Sequence, residues 1–369
     1  MPAHTLIRTD TRAIDNEQNE IRAFMTVRNE ILRLPRTFEH YRNIGVARFF
    51  IVDNGSTDGS KEFLLKQPDC HLFVTHNSYA ESQYGVEWQN TLLDEYGLNH
   101  WCLLVDADEW FIYPGYETIS LGEFTAYLDG TGAQGVFSVM LDMYAPGPIA
   151  EAIAAPHRSL LDACRYFDNQ YTWHRRLRVP GRHRFRFPEY NISGGPRWRL
   201  LFPSLHRHYY VLKTIWQISY YLGFTLPVTL RPAPILTKIP LVRWLAGTKY
   251  RHPHATTPIK LSDVTGVLLH FKFLEDFFDR VSTEVNRKEH FDGASEHARY
   301  LAMLKRHPSL SFHYAGSVEY EGSEQLIRLG LLREDQGWKA KRHAGAVNNP
   351  SVFEEQQAQG ISSEMRLIG

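Results

Sequence analysis

The chain lacks net charge: 41 lysines and arginines face 41 aspartates and glutamates. That balance excludes a uniformly basic nucleic-acid binder and an acidic disordered chain, so any charge that matters is local. Cysteine is scarce. Cys70, Cys102 and Cys164 are odd in number, far apart and free of any C-x-x-C pairing, which excludes a disulfide-stapled scaffold and fits a reducing compartment. A long apolar run is missing too. The most apolar stretch, 211–247, is interrupted by Lys213, Arg231, Lys238, Arg243 and several prolines, short of the ~20 uninterrupted residues a spanning helix needs. The opening MPAHTLIRTDTRAIDNEQNE mixes charges of both signs without an apolar segment, so no signal peptide is expected and the expected location is cytoplasmic. Trp216, Tyr220, Tyr221 and Trp244 lie among cations. That pattern leaves two readings open: peripheral contact at the inner face of a membrane, or a buried helix with wet ends.

What is present is a globular composition. With 369 residues and 43% hydrophobic content, the chain can bury a full core in one large or two modest domains. Ile21 to Val27 predicts a buried strand, tipped by Arg28, Asn29 and Glu30 and followed by a helix over 31–43 that Gly45 closes. Ala47 to Val52 is a second continuous apolar run of the parallel-sheet kind, tipped by Asp53-Asn54-Gly55-Ser56-Thr57-Asp58-Gly59-Ser60. There Asn54-Gly55 favours a turn, and Ser56 or Thr57 is placed to cap a helix near Ser60. His71 to Thr75 predicts a third strand and 83–96 a helix. Trp101 to Val105 predicts a fourth strand, ending in Asp106-Ala107-Asp108-Glu109. Strands alternating with helices in this way predict an α/β fold with an open, mostly parallel sheet flanked by helices, which binds ligands beyond the carboxyl ends of its strands. All three polar clusters fall at such ends.

Asp106 and Asp108 carry the chemistry. Residues two apart on a strand share a face, so the two carboxylates are expected to present together. Such a pair suits Mg²⁺ or Mn²⁺, which take one or two carboxylates from a protein and complete their shell with water and phosphate. Asp-x-Asp is also a common solvated turn. Its position, after Cys102-Leu103-Leu104-Val105 and before Trp110, Phe111 and Tyr113, places it where a strand leaves the core.

Arg28-Asn29-Glu30, Val52-Asp53-Asn54-Gly55-Ser56-Thr57-Asp58-Gly59 and Leu104-Val105-Asp106-Ala107-Asp108-Glu109-Trp110 resemble family 2 glycosyltransferases of the GT-A fold, most strongly within 21–115. The resemblance implies a Rossmann-like sheet, a nucleotide-sugar donor and a glycan or lipid-linked acceptor. It implies that Arg28, Glu30, Asp53, Asn54 and Asp58 line the nucleotide-sugar pocket, and that Asp106 and Asp108 form the D-x-D element. The family usually reads D-D-G-S-T-D; Asn54 replaces one aspartate here, which leaves open whether Asp53 or Asn54 meets the base. Leu268-Leu269-His270-Phe271-Lys272-Phe273 resembles the late H-x-K segment of the bacterial glycosyltransferase-2-like branch. By that resemblance His270 joins Asp106 and Asp108 at the metal, and Lys272 reaches the diphosphate from the same strand face. A half-buried histidine satisfied by backbone is the alternative.

Inverting transfer needs a general base on the acceptor side. Glu189, before Gly194-Gly195-Pro196-Arg197, is the first candidate and Asp168 the second; either can instead be a salt-bridge partner for nearby arginines. The basic-aromatic stretch 171–199 reads as a loop that holds an anionic acceptor or the diphosphate rather than nucleic acid. Arg287-Lys288-Glu289-His290 reads as a solvated helix face, with phosphate contact as the alternative. The expected organisation is a tail at 1–19, a glycosyltransferase domain at 20–310 and a polar, partly disordered extension at 311–369. Within the domain, 20–115 forms the nucleotide-sugar half and 116–310 the acceptor half. A sugar nucleotidyltransferase would carry a glycine-rich loop near its N-terminus, and Ala23 to Arg33 contains no glycine. A carbohydrate-binding protein that kept the fold without turnover is the non-catalytic alternative.

Overall fold

The computed structural model describes residues 6–14, 17, 19–154, 158–175, 188, 190–201, 211, 215, 218 and 235–348. A nine-stranded sheet forms its centre. The strands are β1 (Ile7–Arg8), β2 (Ile21–Val27), β3 (Arg48–Asp53), β4 (Cys70–Val74), β5 (Trp101–Leu104), β6 (Glu109–Ile112), β7 (Gly135–Asp142), β8 (Thr237–Arg243) and β9 (Gly266–His270). Their spatial order is β1-β4-β3-β2-β5-β8-β7-β9-β6. The expected parallel set is present as β4-β3-β2-β5, and β9 lies parallel to β7. Between these two sets, β8 runs antiparallel to both β5 and β7. Strands β1 and β6 close the edges antiparallel to their neighbours.

Helices α1 (Leu34–Ile44), α2 (Ser60–Leu65), α3 (Val86–Tyr96) and α4 (Leu121–Thr131) flank the sheet. Pro35 lies in the first turn of α1, where a missing N–H costs nothing, and Gly45 ends the helix at φ 106° with its N–H on the Tyr41 and Arg42 carbonyls. The central strands are mostly apolar because both sheet faces are covered. Ala23, Met25, Phe49 and Ile51 pack into one core layer with Phe38 and Tyr41 of α1. Their neighbours Phe24, Phe50 and Val52 point the other way, onto Trp88 and Leu92 of α3. The two-residue period of the strand thus feeds two cores at once.

Three expectations need correction. The stretch 171–199 is not a plain loop: Tyr171–Arg175 pairs antiparallel with Tyr190–Gly194, and helix α5 (Gly195–Leu201) follows. Part of the expected apolar helix near 211–247 is strand β8, buried along nearly all its length. Within the extension expected at 311–369, Gln336–Asn348 is helical, anchored by Trp338, which is fully buried against Phe124 and donates its indole N–H to the Pro114 carbonyl. Residues beyond 348 lie outside the described set. Among the described residues no helix is long and apolar enough to cross a membrane. The aromatic positions Trp216, Tyr220 and Tyr221 fall outside the described residues, whereas Trp244 is buried in the core.

Gly266 opens β9 where a Cβ would run into the Phe111 ring and come within 2.6 Å of Ser138 Oγ. Gly266→Ala is therefore expected to lower stability by about 1–3 kcal/mol through overpacking. Urea denaturation checks this, and an unchanged midpoint would contradict the packing.

Candidate functional site

The carboxyl ends of β2 and β3 are tied into one platform. Asn29 takes a left-handed conformation at φ 54°. Its side chain accepts from the Thr57 N–H at 2.7 Å, and its own N–H donates to Ser56 Oγ at 3.0 Å. Asp58 accepts from the Ile31 and Ser60 N–H groups, each at 3.0 Å. Ser56, Thr57 and Asp58 thus hold the 28–31 turn. The N-cap of α2 is instead Gly59, which makes no side-chain cap, and Asp58 is a clamp between turns rather than a pocket wall.

Asp53 is buried, with Oδ2 receiving the Gly55 and Ser56 N–H groups at 3.2 Å. Its Oδ1 has no hydrogen-bond partner. Asn54 donates to the Thr75 and Asn77 carbonyls and accepts Arg28 Nη1 on its own carbonyl at 2.5 Å. Glu30 is buried beside Arg280 at 2.6 Å and Arg33 at 3.5 Å. Burial pushes its carboxyl up to about 7, although both guanidinium groups oppose the rise. Beside this platform opens a cavity of about 330 Å³, lined by Arg28, Asn54, His76, Asn77, Ser78, Tyr79, Arg287 and Glu289.

The aspartate motif is not a strand. Strand β5 stops at Leu104, a turn carries Asp106 to Asp108, and β6 starts at Glu109. The strand rule for shared faces therefore does not apply, and the two carboxylates meet different partners. Asp106 is 59% exposed and sits 3.2 Å from Lys238 Nζ. Asp108 is buried, with Oδ2 3.4 Å from His270 Nε2. On the other side of the imidazole, Nδ1 lies 2.7 Å from the fully buried Asp142, whose second oxygen takes Arg197 Nε at 2.6 Å. Register explains the meeting: His270 is the last residue of β9, opposite Asp142 on β7 and Glu109 on β6. Burial opposes charge on His270, but Asp108 and Asp142 outweigh it and raise the imidazole to about 9.

Lys272 lies past the end of β9 and turns to Glu296 at 3.7 Å and over the Tyr300 ring at 5.0 Å. It does not share the His270 face. Asp168 is buried and engaged by Arg199 at 2.9 Å and by the Tyr144 hydroxyl at 2.6 Å. That closure suits a structural ion pair, not a base that must meet an acceptor hydroxyl. Glu189 lies outside the described residues.

Two buried cations escape a reading of the sequence. Lys238 is the second residue of β8, 2.6 Å from the buried Glu109, which also accepts the Asp106 N–H at 2.9 Å. Burial opposes the ammonium charge, but Asp106 and Glu109 together hold Lys238 protonated. Arg33, fully buried, donates to the Phe271 carbonyl and forks onto Asp276 at 2.7 and 2.8 Å. The only sign of either was a cation inside an apolar stretch. Removing Lys238 strands Glu109, so Lys238→Met is expected to cost about 3–5 kcal/mol. Lys238→Met with Glu109→Gln should recover part of that in a double-mutant cycle by urea denaturation, and additive losses would contradict the pairing.

Of the three residues expected at a metal, Asp108 and His270 meet and Asp106 does not join them. Asp142 holds His270 by Nδ1 so that Nε2 faces the Asp108 carboxylate, the arrangement by which an outer carboxylate orients a metal-binding histidine. Among the described residues no three histidine, cysteine or acidic side chains gather about one point. Asp108 and His270 thus face each other, while Asp106 stays outside that pair beside Lys238.

No family model matches the chain. No curated protein sequence matches it either. Among solved structures it is similar to residues 1–349 of S. aureus TarS, at 16% identity and a TM-score of 0.26, over 34% of this chain and 35% of that one. A longer S. aureus TarS structure aligns at 14% identity and a TM-score of 0.26, over 34% of this chain and 21% of that one. The chain thus spans about a third or less of the structures it matches.

Proposed function

We propose that the chain is a metal-dependent glycosyltransferase that takes a sugar from a nucleotide-sugar and transfers it, with inversion, to a glycan or lipid-linked acceptor. The observation that carries this reading is the Asp108–His270–Asp142 line at the same carboxyl edge as the β2 and β3 platform. Asp108 and His270 would hold Mn²⁺ or Mg²⁺, with Asp106 as the exposed acid of the same turn. When bound, the cation stabilises charge on the departing nucleoside diphosphate.

The chain's own residues do the rest. Asp142 fixes the imidazole orientation, and Lys238 with Glu109 fixes the turn that carries both aspartates. Arg28, Glu30, Asp53 and Asn54 face the nucleotide, with the unpartnered Asp53 Oδ1 as the acceptor for a base or ribose donor group. Lys272, expected at the diphosphate, is paired with Glu296 past the end of β9 and is left out of the donor contacts. Glu189 is the proposed base that takes the proton from the acceptor hydroxyl. The reading calls for neither nucleic acid nor a spanning segment, and peripheral membrane contact follows only if the acceptor is lipid-linked.

A ligand that binds the folded state through a shared cation stabilises it in proportion to its affinity. A nucleotide-sugar panel screened by thermal shift should therefore raise the melting temperature more in Mn²⁺ than in EDTA for at least one donor. A panel without any metal-linked shift would contradict the proposal.

A further inference from the structure

Arg287 ends helix α6 (Phe277–Arg287), far in sequence from the β2 and β3 tips, yet it lines the same cavity as Arg28. Nothing in the D-x-D chemistry uses it. Glu284 grips its Nη1 at 2.7 and 2.9 Å, which orients the guanidinium from one side. The facing wall is Arg28, whose Nη1 is anchored on the Asn54 carbonyl and whose Nε is buried without a hydrogen-bond partner. Gly55 keeps this wall tight: at φ +72° a Cβ would come within 3.1 Å of His76 Nδ1 and 3.3 Å of Arg28 Nη1. Glu289, the acid in the lining, is engaged by Ser78 Oγ at 2.7 Å and the Ala80 N–H at 2.9 Å, and its single negative charge is outnumbered by Arg28 and Arg287 in the same lining.

Two guanidinium groups facing one polar cavity repel each other. Burial and then Arg287 lower the Arg28 pKa, with Glu284, Asp53 and Glu289 opposing. An anion between the two arginines would relieve that repulsion, and phosphate matches the guanidinium fork. The cavity is also close to the aspartate turn. Tyr79, one of its walls, feels Asp106 and Asp108 as well as Glu284 and Arg287, all acting on a phenol whose pKa burial already raises.

We propose that this cavity binds the phosphate arm of the nucleotide, with Arg28 and Arg287 as its two cationic walls, so that a residue from the C-terminal part of the chain completes the donor site. The inference rests on the nucleotide-sugar reading and adds Arg287 to it.

The test measures binding of inorganic pyrophosphate, UDP and GDP by calorimetry in EDTA, which removes any contribution of a cation, for the full chain and for Arg287→Met and Arg287→Lys. The Arg287–Glu284 pair is a partly exposed contact within one helix, worth a few tenths of a kcal/mol, so both variants should fold. Pyrophosphate is expected to bind the wild type and to lose about tenfold or more in affinity in Arg287→Met, with Arg287→Lys in between. Equal affinity in all three proteins, or no pyrophosphate binding by the wild type, overturns the inference. Failure of the parent reading looks different: pyrophosphate still depends on Arg287, while no nucleotide or nucleotide-sugar binds even in Mn²⁺.

Discussion

Asp108→Ala is expected to lower turnover about a thousandfold while the chain still unfolds in one cooperative transition. The rate loss corresponds to about 4 kcal/mol of transition-state stabilisation, a reasonable share for a cation that receives the charge of a leaving diphosphate. Stability should change far less. Asp108 is buried at the rim of the turn, and its loss leaves His270 paired with Asp142 at 2.7 Å and Asp142 paired with Arg197. Donor binding in EDTA should survive, because the β2 and β3 platform does not depend on this carboxylate. Activity close to wild type in Asp108→Ala would remove the aspartate turn from the mechanism.

The second large effect falls on the fold. Arg33 is fully buried and joins three parts of the site: the Phe271 carbonyl beyond β9, Asp276 before α6 and Glu30 at the tip of β2. Replacing it removes one charge and leaves Glu30 in the interior and Asp276 half-buried without it. Glu30, which burial already pushes up to about 7, would keep Arg280 as its remaining cation. Arg33→Met is expected to cost about 3–5 kcal/mol, the range for breaking a buried pair by removing one partner. A urea titration reads this directly. Arg33→Met with Asp276→Asn should cost less than the sum of the two single changes, and a loss below about 1 kcal/mol for Arg33→Met would show that the fork does not hold the β2 and β9 ends together.

The β4-β3-β2-β5 half of the sheet was legible because continuous apolar runs such as Phe49-Phe50-Ile51-Val52 suit a parallel strand covered on both faces. The half built from β8, β7, β9 and β6 was harder. Strand β8 carries Lys238 as its second residue, and a lysine in an apolar run reads as a break until its partners Glu109 and Asp106 are known; they are more than a hundred residues away. The sequence places the tip residues at strand ends but does not supply their contacts. Asp58 and Asn29 spend their hydrogen bonds tying two turns together, a contact between segments 27 residues apart that local turn rules do not supply. The strand rule predicts a shared face for Asp106 and Asp108, but β5 ends at Leu104 and the chain turns before β6 begins at Glu109, which sends the two carboxylates to separate partners. The polar stretch that includes 338–348 reads as a tail because its anchor is a single buried side chain, Trp338.

The most direct measurement is release of nucleoside diphosphate from a panel of nucleotide-sugars, compared in Mn²⁺ and in EDTA. The account predicts release from at least one donor in Mn²⁺, its near loss in EDTA, and the same loss in Asp108→Ala with Mn²⁺ present. Release at equal rates in Mn²⁺ and EDTA, or none from any donor, would contradict a cation-assisted sugar transfer at the Asp108–His270 edge.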